Sequence, residues 1–167
     1  ETTDFPPGTT RYTTGWRAIA ASLSDVAAMG ATATAAVAAY AAPTFDAAEL
    51  EAFVDGAKTV CERVGAEYVG GDLDGHDEFT VTSTALGETD DPVLRDGATT
   101  GDVVAVTGAL GRSAAALRAF DAGDVDRANA LFRFTPRVAA GRALAPHATA
   151  MMDSSDGLAR SLHQLAA

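Results

Sequence analysis

One stretch of the sequence constrains the fold most: an apolar helical stripe that carries a single carboxylate and ends at a glycine. Between Trp16 and Ala27 the apolar residues recur at the three- and four-residue spacing that is typical of a helix with one buried face. Gly30 then indicates the end of the helix, because glycine accepts the left-handed conformation found there. We therefore expect a helix over residues 14–29, with Asp25 in or near its last turn.

The position of Asp25 is electrostatically unusual. The carbonyl end of a helix carries partial negative charge, so a second negative charge is disfavoured there. A cation bound beside the carboxylate would compensate for this. The alternative is a solvated aspartate on the polar face of the helix, and the periodicity alone leaves both interpretations open.

Composition limits the classes of partner. The 167 residues, 47% of them hydrophobic, suffice for the core of one compact domain or two small ones. The formal net charge of −11 argues against a nucleic-acid partner and favours cations. The sequence contains no uninterrupted apolar run long enough to cross a bilayer, so we expect no membrane association.

The rarer residue types suggest a cellular setting. Cys61 is the only cysteine, lies in an apolar helical stripe and fits a reducing cytoplasm. Lys58 is the only lysine, and the acidic, alanine-rich composition suggests a halophile with a high-salt cytoplasm. We expect the protein to be more stable in molar KCl than in dilute buffer. Residue 1 is Glu and no signal peptide is visible, so we expect the natural N-terminus to be absent.

Strands alternate with helices, which predicts an α/β or α+β domain. Residues 46–64 give the clearest helix, with Asp46 as its cap and Glu49 at the capping-box position. Residues 31–42 are ambiguous, because their alanines favour a helix while Thr, Val and Tyr permit a strand. Further strands are expected over 67–69, 79–86, 102–107 and 148–152, with a turn at Asp74–Gly75. Further helices are expected over 112–121, over 124–133, from 135–136 onward, and through Leu158, Leu162 and Leu165.

Four acidic residues lie at element ends beside glycine or serine: Asp25, Asp72, Asp153 and Asp156. Carboxylates without accompanying His or Cys suit Mg²⁺, which commonly binds through a few carboxylates and phosphate oxygens. The structural alternatives are a turn residue for Asp72 and an ordinary helix N-cap for the Asp153 segment. A free helix N-terminus also binds phosphate, so the second alternative is compatible with a site.

Several other chemistries are disfavoured. The sequence has no GxxxxGK[ST] loop, and its three histidines do not have zinc-ligand spacing. Arg95 is either a phosphate clamp or a surface charge in a loop. Residue spacing by itself therefore predicts a possible Mg²⁺ and phosphate site, and no more.

Five motifs, in order, resemble thiamine-monophosphate kinase across essentially the whole chain. They are GWRAI at residues 15–19 leading into LSDVAAMGA at 23–31, VGGD at 69–72, RDGA at 95–98 with Gly101-Asp102, VTGALG at 106–111, and MDSSDGL at 152–158. Selenophosphate synthetases share a similar Ser-Asp-x-x-Ala-Met-Gly run but typically carry His in place of Asp72. The kinase family is therefore the better match.

The resemblance implies a fold like that of aminoimidazole ribonucleotide synthetase. Residues 1–108 would form an N-terminal domain that binds ATP and Mg²⁺ and dimerises through its sheet into a barrel, which makes 31–42 a strand. Residues 109–167 would begin a C-terminal α/β domain. The family's early Asp-rich strand would precede residue 1, and its later Gly-Gly-Glu-Asp segment would follow residue 167, so the chain resembles a kinase truncated at both ends.

The resemblance also assigns residues, in a cytoplasmic homodimer that converts ATP and thiamine monophosphate into ADP and thiamine diphosphate. The implied Mg²⁺ ligands are Asp25, Asp72, Asp153 and Asp156, and the implied ATP contacts are Gly71, Asp72, Arg95 and Ser155. Asp4 stands where many relatives have a substrate-contacting His, and an acid there could face the thiazolium cation. No residue is assigned as a catalytic base, because phosphoryl transfer chiefly needs alignment and charge neutralisation. Two alternatives stay open: a non-catalytic nucleotide-binding or dimerisation module, and another enzyme of the fold.

Overall fold

The structure, a computed structural model, describes residues 4–166 and has a mixed α/β architecture. Its elements, in chain order, are α1 (Arg11–Ala28), β1 (Thr32–Ala42), α2 (Ala47–Glu62), β2 (Glu67–Gly75), β3 (Thr80–Glu88), α3 (Arg112–Asp121), α4 (Val125–Phe132), α5 (Val138–Leu144) with a 3₁₀ turn (Ala145–His147), and α6 (Leu158–Leu165).

Helix α1 confirms the prediction of a helix ended by glycine. It begins three residues before the predicted start because Thr10 caps it, its hydroxyl accepting a hydrogen bond from the backbone N–H of Thr13 at 3.2 Å. Gly30 follows the helix with a φ of 71°. The chain reverses there and enters β1, so the end of α1 lies beside the start of the central strand.

The three strands form one sheet in the order β2-β1-β3, with β1 parallel to β2 and antiparallel to β3. The ambiguous segment 31–42 is thus a strand, as the family resemblance implied. Its alternate residues Ala36, Ala38 and Tyr40 are buried. Pairing on both sides and burial of one face outweigh the helical propensity of its alanines.

Helices α1 and α2 cover one face of the sheet and approach each other backbone to backbone. A Cβ on Gly15 would lie 2.0 Å from the carbonyl oxygen of Phe53, and one on Gly56 would lie 2.0 Å from that of Tyr12. Glycine is therefore required at both crossing points. The core beneath is apolar; its fully buried side chains include Ile19, Leu23, Phe53 and Val60.

The opposite face of the sheet, called here the outer face, has no cover within residues 4–166. Thr80, Thr82 and Thr84 of β3 are exposed on it together. Val37 of β1 pairs with Thr84 and is 38% exposed. The outer face is thus a surface of small, mostly uncharged side chains.

Two predicted strands are wrong. Residues 102–107 are extended but irregular, and Val103 is 92% exposed. Residues 148–152 are irregular too, and their Met151 N–H donates to the Leu94 carbonyl at 3.0 Å rather than to a strand. A strand needs a hydrogen-bonded neighbour as well as β-forming residues, and no strand pairs with either segment in the described part of the chain.

Two smaller predictions also need correction. Asp74 and Gly75 do not form a turn, because β2 continues through Gly75 while paired with β1 rather than with β3. Helix α5 begins at Val138, so Pro136 precedes the helix instead of lying in its first turn. No helix in residues 4–166 has both the length and the apolar character required to cross a bilayer.

Candidate functional site

The first part of the candidate site is the carbonyl end of α1. Asp25 lies in the last turn, where partial burial raises the pKa of its carboxyl group. The turn is fixed closely, because a Cβ on Gly30 would lie 2.5 Å from the Cβ of Ala145. The carboxylate that the sequence singled out is therefore held on a well-packed helix end.

Two irregular segments are attached to this end of α1. The backbone N–H of Val93 donates to the Met29 carbonyl at 3.2 Å, which anchors the loop of Arg95 beside the end of the helix. Met151 N–H donates in turn to the Leu94 carbonyl, which brings the segment before Asp153 to the same place. Residues far apart in sequence thus converge on Asp25.

Asp153 is half-buried, and the pKa of its carboxyl group is raised. The largest cause is desolvation, followed by the negative charges of Asp25 and Asp156. The structure therefore brings these three predicted ligands within electrostatic reach of one another. Across residues 4–166, however, no three His, Cys, Asp or Glu side chains are close enough to hold a metal ion.

The donor chemistry of this end of α1 fits Mg²⁺. The groups offered here are the carboxylates of Asp25, Asp153 and Asp156, and Mg²⁺ usually takes one or two carboxylates together with phosphate and water oxygens. The repulsion that raises the pKa of Asp153 is also the repulsion that a divalent cation would relieve.

Ser155 and Asp156 lie in the exposed turn before α6. The N-cap of that helix is Gly157, with a φ of 99° and no side-chain cap, so the interpretation of the Asp153 segment as an ordinary N-cap is wrong. Asp156 makes an exposed ion pair with Arg160 at 3.4 Å, of a kind that contributes little to stability. These side chains remain accessible to a ligand.

Asp72 does not join this group. It pairs in register with Ala39, which places it on the outer face, and its Oδ1 accepts from the Leu73 N–H at 2.9 Å. Gly71 beside it is required by close packing, since a Cβ there would lie 1.9 Å from the carbonyl oxygen of Ala38. The interpretation of Asp72 as a turn residue is wrong, because β2 continues past it.

The distance between Asp72 and Asp25 follows from the strand register. Val26 packs against Gly87, which pairs with Ala33, so Asp25 lies near the level of Ala33. The six-residue step from Ala33 to Ala39 corresponds to about 20 Å along the sheet. One chain therefore cannot bring both carboxylates to one metal ion.

Asp4 is exposed near the other half of α1, where its charge opposes the lowering of the Arg17 pKa by burial. Arg17 itself lies over the ring of Phe132, 4.1 Å from the ring centroid. Asp4 therefore lies near Arg17, separated along the helix from Asp25.

Sequence reasoning missed two features. The first is a cavity of about 420 Å³ between α2 and β2, whose lining includes Phe53, Lys58, Tyr68 and the Gly-Gly-Asp segment. The second is a side-chain bridge in which Asp102 joins the Arg95 loop to Thr149. Neither has a distinctive spacing in the sequence, because both depend on contacts between distant segments.

Comparison with known proteins gives the class of protein. The sequence pattern of the AIR synthase related protein family, N-terminal domain, matches residues 1–89, which is more than half of the chain. The chain belongs to this family, and the fold expected from the resemblance is confirmed.

Individual relatives are more specific. The chain is 72% identical over 167 residues to a thiamine-monophosphate kinase of Halobacterium salinarum and 44% identical over 170 residues to one of Methanospirillum hungatei. All of this chain is covered in both comparisons, but only 58% and 57% of those relatives. The chain thus spans little more than half the length of the curated relatives that it matches.

Comparison with solved structures finds similar folds. A thiamine-monophosphate kinase of Stenotrophomonas maltophilia superimposes with a TM-score of 0.90 and 32% identity, over 99% of this chain and 57% of that one. AaThiL complexed with AMPPCP and TMP gives a TM-score of 0.86 and 32% identity, over 93% of this chain and 53% of that one.

Proposed function

We propose that this chain carries much of the nucleotide site of a cytoplasmic enzyme that transfers the γ-phosphoryl group of ATP to thiamine monophosphate, giving ADP and thiamine diphosphate. The observation that carries the proposal is the convergence of Asp25, Asp153 and the Arg95 loop at one end of α1. Support comes from a relative, 72% identical, that bears the name of this kinase. Residues 1–108 would form the ATP-binding and dimerisation domain, and 109–167 the start of a second domain.

The residues would divide the work by chemistry. Asp25, Asp153 and Asp156 would hold Mg²⁺, which when bound neutralises phosphate charge and aligns the phosphates for in-line transfer. Arg95 would bind phosphate oxygens through its planar guanidinium, and Ser155 would bond to the nucleotide. Asp4 would face the thiazolium cation of thiamine monophosphate.

The proposal includes a homodimer formed through the outer face, with Asp72 acting on the site of the partner copy. Asp72 lies on the outer face and about 20 Å along the sheet from the level of Asp25. A second copy packed there on a twofold axis would bring Gly71 and Asp72 of each chain toward the other chain. The small side chains of the outer face allow such close packing.

A non-catalytic nucleotide-binding module, the alternative left open by the sequence, is the second candidate. The first experiment therefore measures binding. We expect a non-hydrolysable ATP analogue to bind in calorimetric titration only with Mg²⁺, and Asp25→Asn to weaken binding at least tenfold. Asp55→Asn, an exposed aspartate on α2, is the matched control and should leave binding unchanged.

The same titration on a longer protein that includes the flanking segments separates the two candidates. ADP release that depends on thiamine monophosphate supports the kinase. Mg²⁺-dependent nucleotide binding without turnover supports the module. No binding by either folded protein would contradict both.

A mixing experiment tests the shared site. Asp25→Asn and Asp72→Asn each damage both sites of a homodimer. In the mixed dimer of a trans arrangement, one site carries both substitutions and the other is intact. Random mixing should therefore restore about a quarter of the wild-type sites, because half of the dimers are mixed and each has one intact site. If both carboxylates serve one site within a chain, mixing restores none.

A further inference from the structure

The carboxylate of Asp102 joins two segments that are distant in sequence. Its Oδ2 accepts a hydrogen bond from the Thr99 N–H at 2.8 Å and another from the Thr149 hydroxyl at 2.7 Å. Both bonds favour the charged carboxylate and lower its pKa. Asp102 N–H donates back to the Thr99 carbonyl at 3.1 Å, which closes a tight turn.

Each of the two segments leads to a residue of the proposed site. Arg95 lies four residues before Thr99, and Asp153 lies four residues after Thr149. The segments also touch through their backbones, since Met151 N–H donates to the Leu94 carbonyl and a Cβ on Gly97 would lie 2.5 Å from the Thr149 carbonyl oxygen. Asp102 therefore supplies the side-chain link in an otherwise irregular two-segment contact.

We propose that Asp102 is a positioning residue, which clasps Thr149 so that Arg95 and Asp153 face the same ligand. The proposal rests on the proposed nucleotide site. Neither segment has a regular element to fix it, so the relative placement of a guanidinium and a carboxylate depends on a few hydrogen bonds. Charge-assisted bonds are the strongest of this kind.

The sign of the effect distinguishes positioning from simple electrostatics. Removing a negative charge near an anionic nucleotide should strengthen binding by itself. Asp96→Ala, in the same loop, removes the same charge and is the matched control; we expect equal or tighter binding of the Mg²⁺-bound ATP analogue. Asp102→Ala should instead weaken binding about tenfold, the effect of one charge-assisted hydrogen bond.

The partner residue gives a rescue test. Thr149→Val removes the hydroxyl and should weaken binding as Asp102→Ala does, whereas Thr149→Ser keeps the hydroxyl and should restore it. The double variant Asp102→Ala with Thr149→Val should bind no worse than Asp102→Ala alone, because Asp102→Ala already removes the bond to Thr149. The unfolding midpoint should stay unchanged in all of them, since Asp102 and Thr149 are exposed.

Hydrogen exchange tests the clasp without a ligand. Asp102→Ala should speed exchange of the Met151 amide, which belongs to the other segment, while Asp96→Ala should not. Unchanged Met151 exchange, or Asp102→Ala binding as tightly as Asp96→Ala, would overturn the proposal. If the wild-type protein binds no nucleotide while Asp102→Ala still speeds Met151 exchange, the proposed function fails and the clasp stands as a structural feature only, which also overturns the positioning role.

Discussion

Two regions of this molecule use similar apolar residues in opposite ways. Residues 11–88 form two helices and a sheet whose central side chains, such as Leu23 and Val60, are fully buried. Residues 92–111 contain a valine-rich run of strand composition, yet Val103 is 92% and Val104 is 63% exposed. An apolar pattern therefore specifies burial only where the chain also supplies a surface to cover it.

The two regions are also held differently. The first depends on close packing between helices α1 and α2. The second depends on individual polar contacts, such as the Asp102–Thr149 bond. Substitutions should therefore have large effects in the first region and graded or small effects elsewhere.

The largest effect is expected at a helix crossing. Replacing Gly by Ala inside a helix normally stabilises it by about 1 kcal/mol. Gly56→Ala should instead reduce the free energy of unfolding by about 3 kcal/mol or more, because the new Cβ would lie 2.0 Å from the Tyr12 carbonyl oxygen and force the helices apart. Urea unfolding at a fixed KCl concentration measures this change in the free energy of unfolding. Gly75→Ala, with no heavy atom within 4 Å of its Cβ, is the control and should be nearly neutral; equal stability of the two variants would contradict the close packing.

The buried thiol should make stability depend on alkaline pH. Burial raises the pKa of Cys61 from 9.0 to about 11, so between these values the folded chain binds more protons than the unfolded chain. The contribution of the buried thiol to the free energy of unfolding is then fully present below pH 9 and is lost as pH rises toward 11, by up to about 3 kcal/mol. The raised pKa of Tyr68 acts in the same direction, so the thiol is isolated by subtracting the curve of Cys61→Ala. Parallel curves for the two proteins would show that the thiol contributes nothing.

Asn129 of α4 tests a polar contact outside both regions, which ties α4 to the segment before α1. Its Oδ1 accepts from the Thr10 N–H at 3.0 Å, and its Nδ2 donates to the carbonyls of Gly8 and Val125, each at 2.9 Å. Asn129→Ala should cost about 2 kcal/mol, because a buried side chain loses its hydrogen bonds to three backbone groups. Thermal unfolding provides the measurement. Thr59→Ala, which removes a hydroxyl bond within α2, should cost much less, and a similar cost for both would reduce Asn129 to a local contact.

The same substitution in both regions gives the smallest effect and the sharpest contrast. Val103→Thr should change the free energy of unfolding by less than about 0.5 kcal/mol, because the side chain is already in water. Val60→Thr buries a hydroxyl at a fully covered position and should cost about 2 kcal/mol. Chemical denaturation of the pair checks this; a marked cost at Val103 would mean that its segment is covered in solution.

Most of the first region could be predicted from the sequence. Both helices have an apolar stripe and a capping residue, Thr10 for α1 and Asp46 for α2, and these signals are local. The predicted strands at 102–107 and 148–152 failed because β-forming residues do not say which neighbour they pair with. The alanines of β1 left helix and strand open from the residues alone, and burial in the centre of a sheet outweighs their helix propensity.

The candidate site was predicted as a set of residues, and the structure divides that set. Asp25, Arg95 and Asp153 approach one end of α1, whereas Asp72 lies about 20 Å away along the outer face. The sequence included Asp102 in a family motif but gave no signal for its contact with Thr149, since that contact joins two segments distant in the chain.

The sequence by itself determined the presence of the two main helices, the Asp46 cap of α2, the acidic residues available to a cation and the resemblance to a kinase family, because each of these depends on residues close together in the chain. Only the tertiary structure decided that the strand over residues 31–42 is the central one, that residues 102–107 stay irregular, and which carboxylates meet. Those outcomes depend on which distant segments find a partner, and the free energy of pairing and burial belongs to the contact between segments rather than to either one alone.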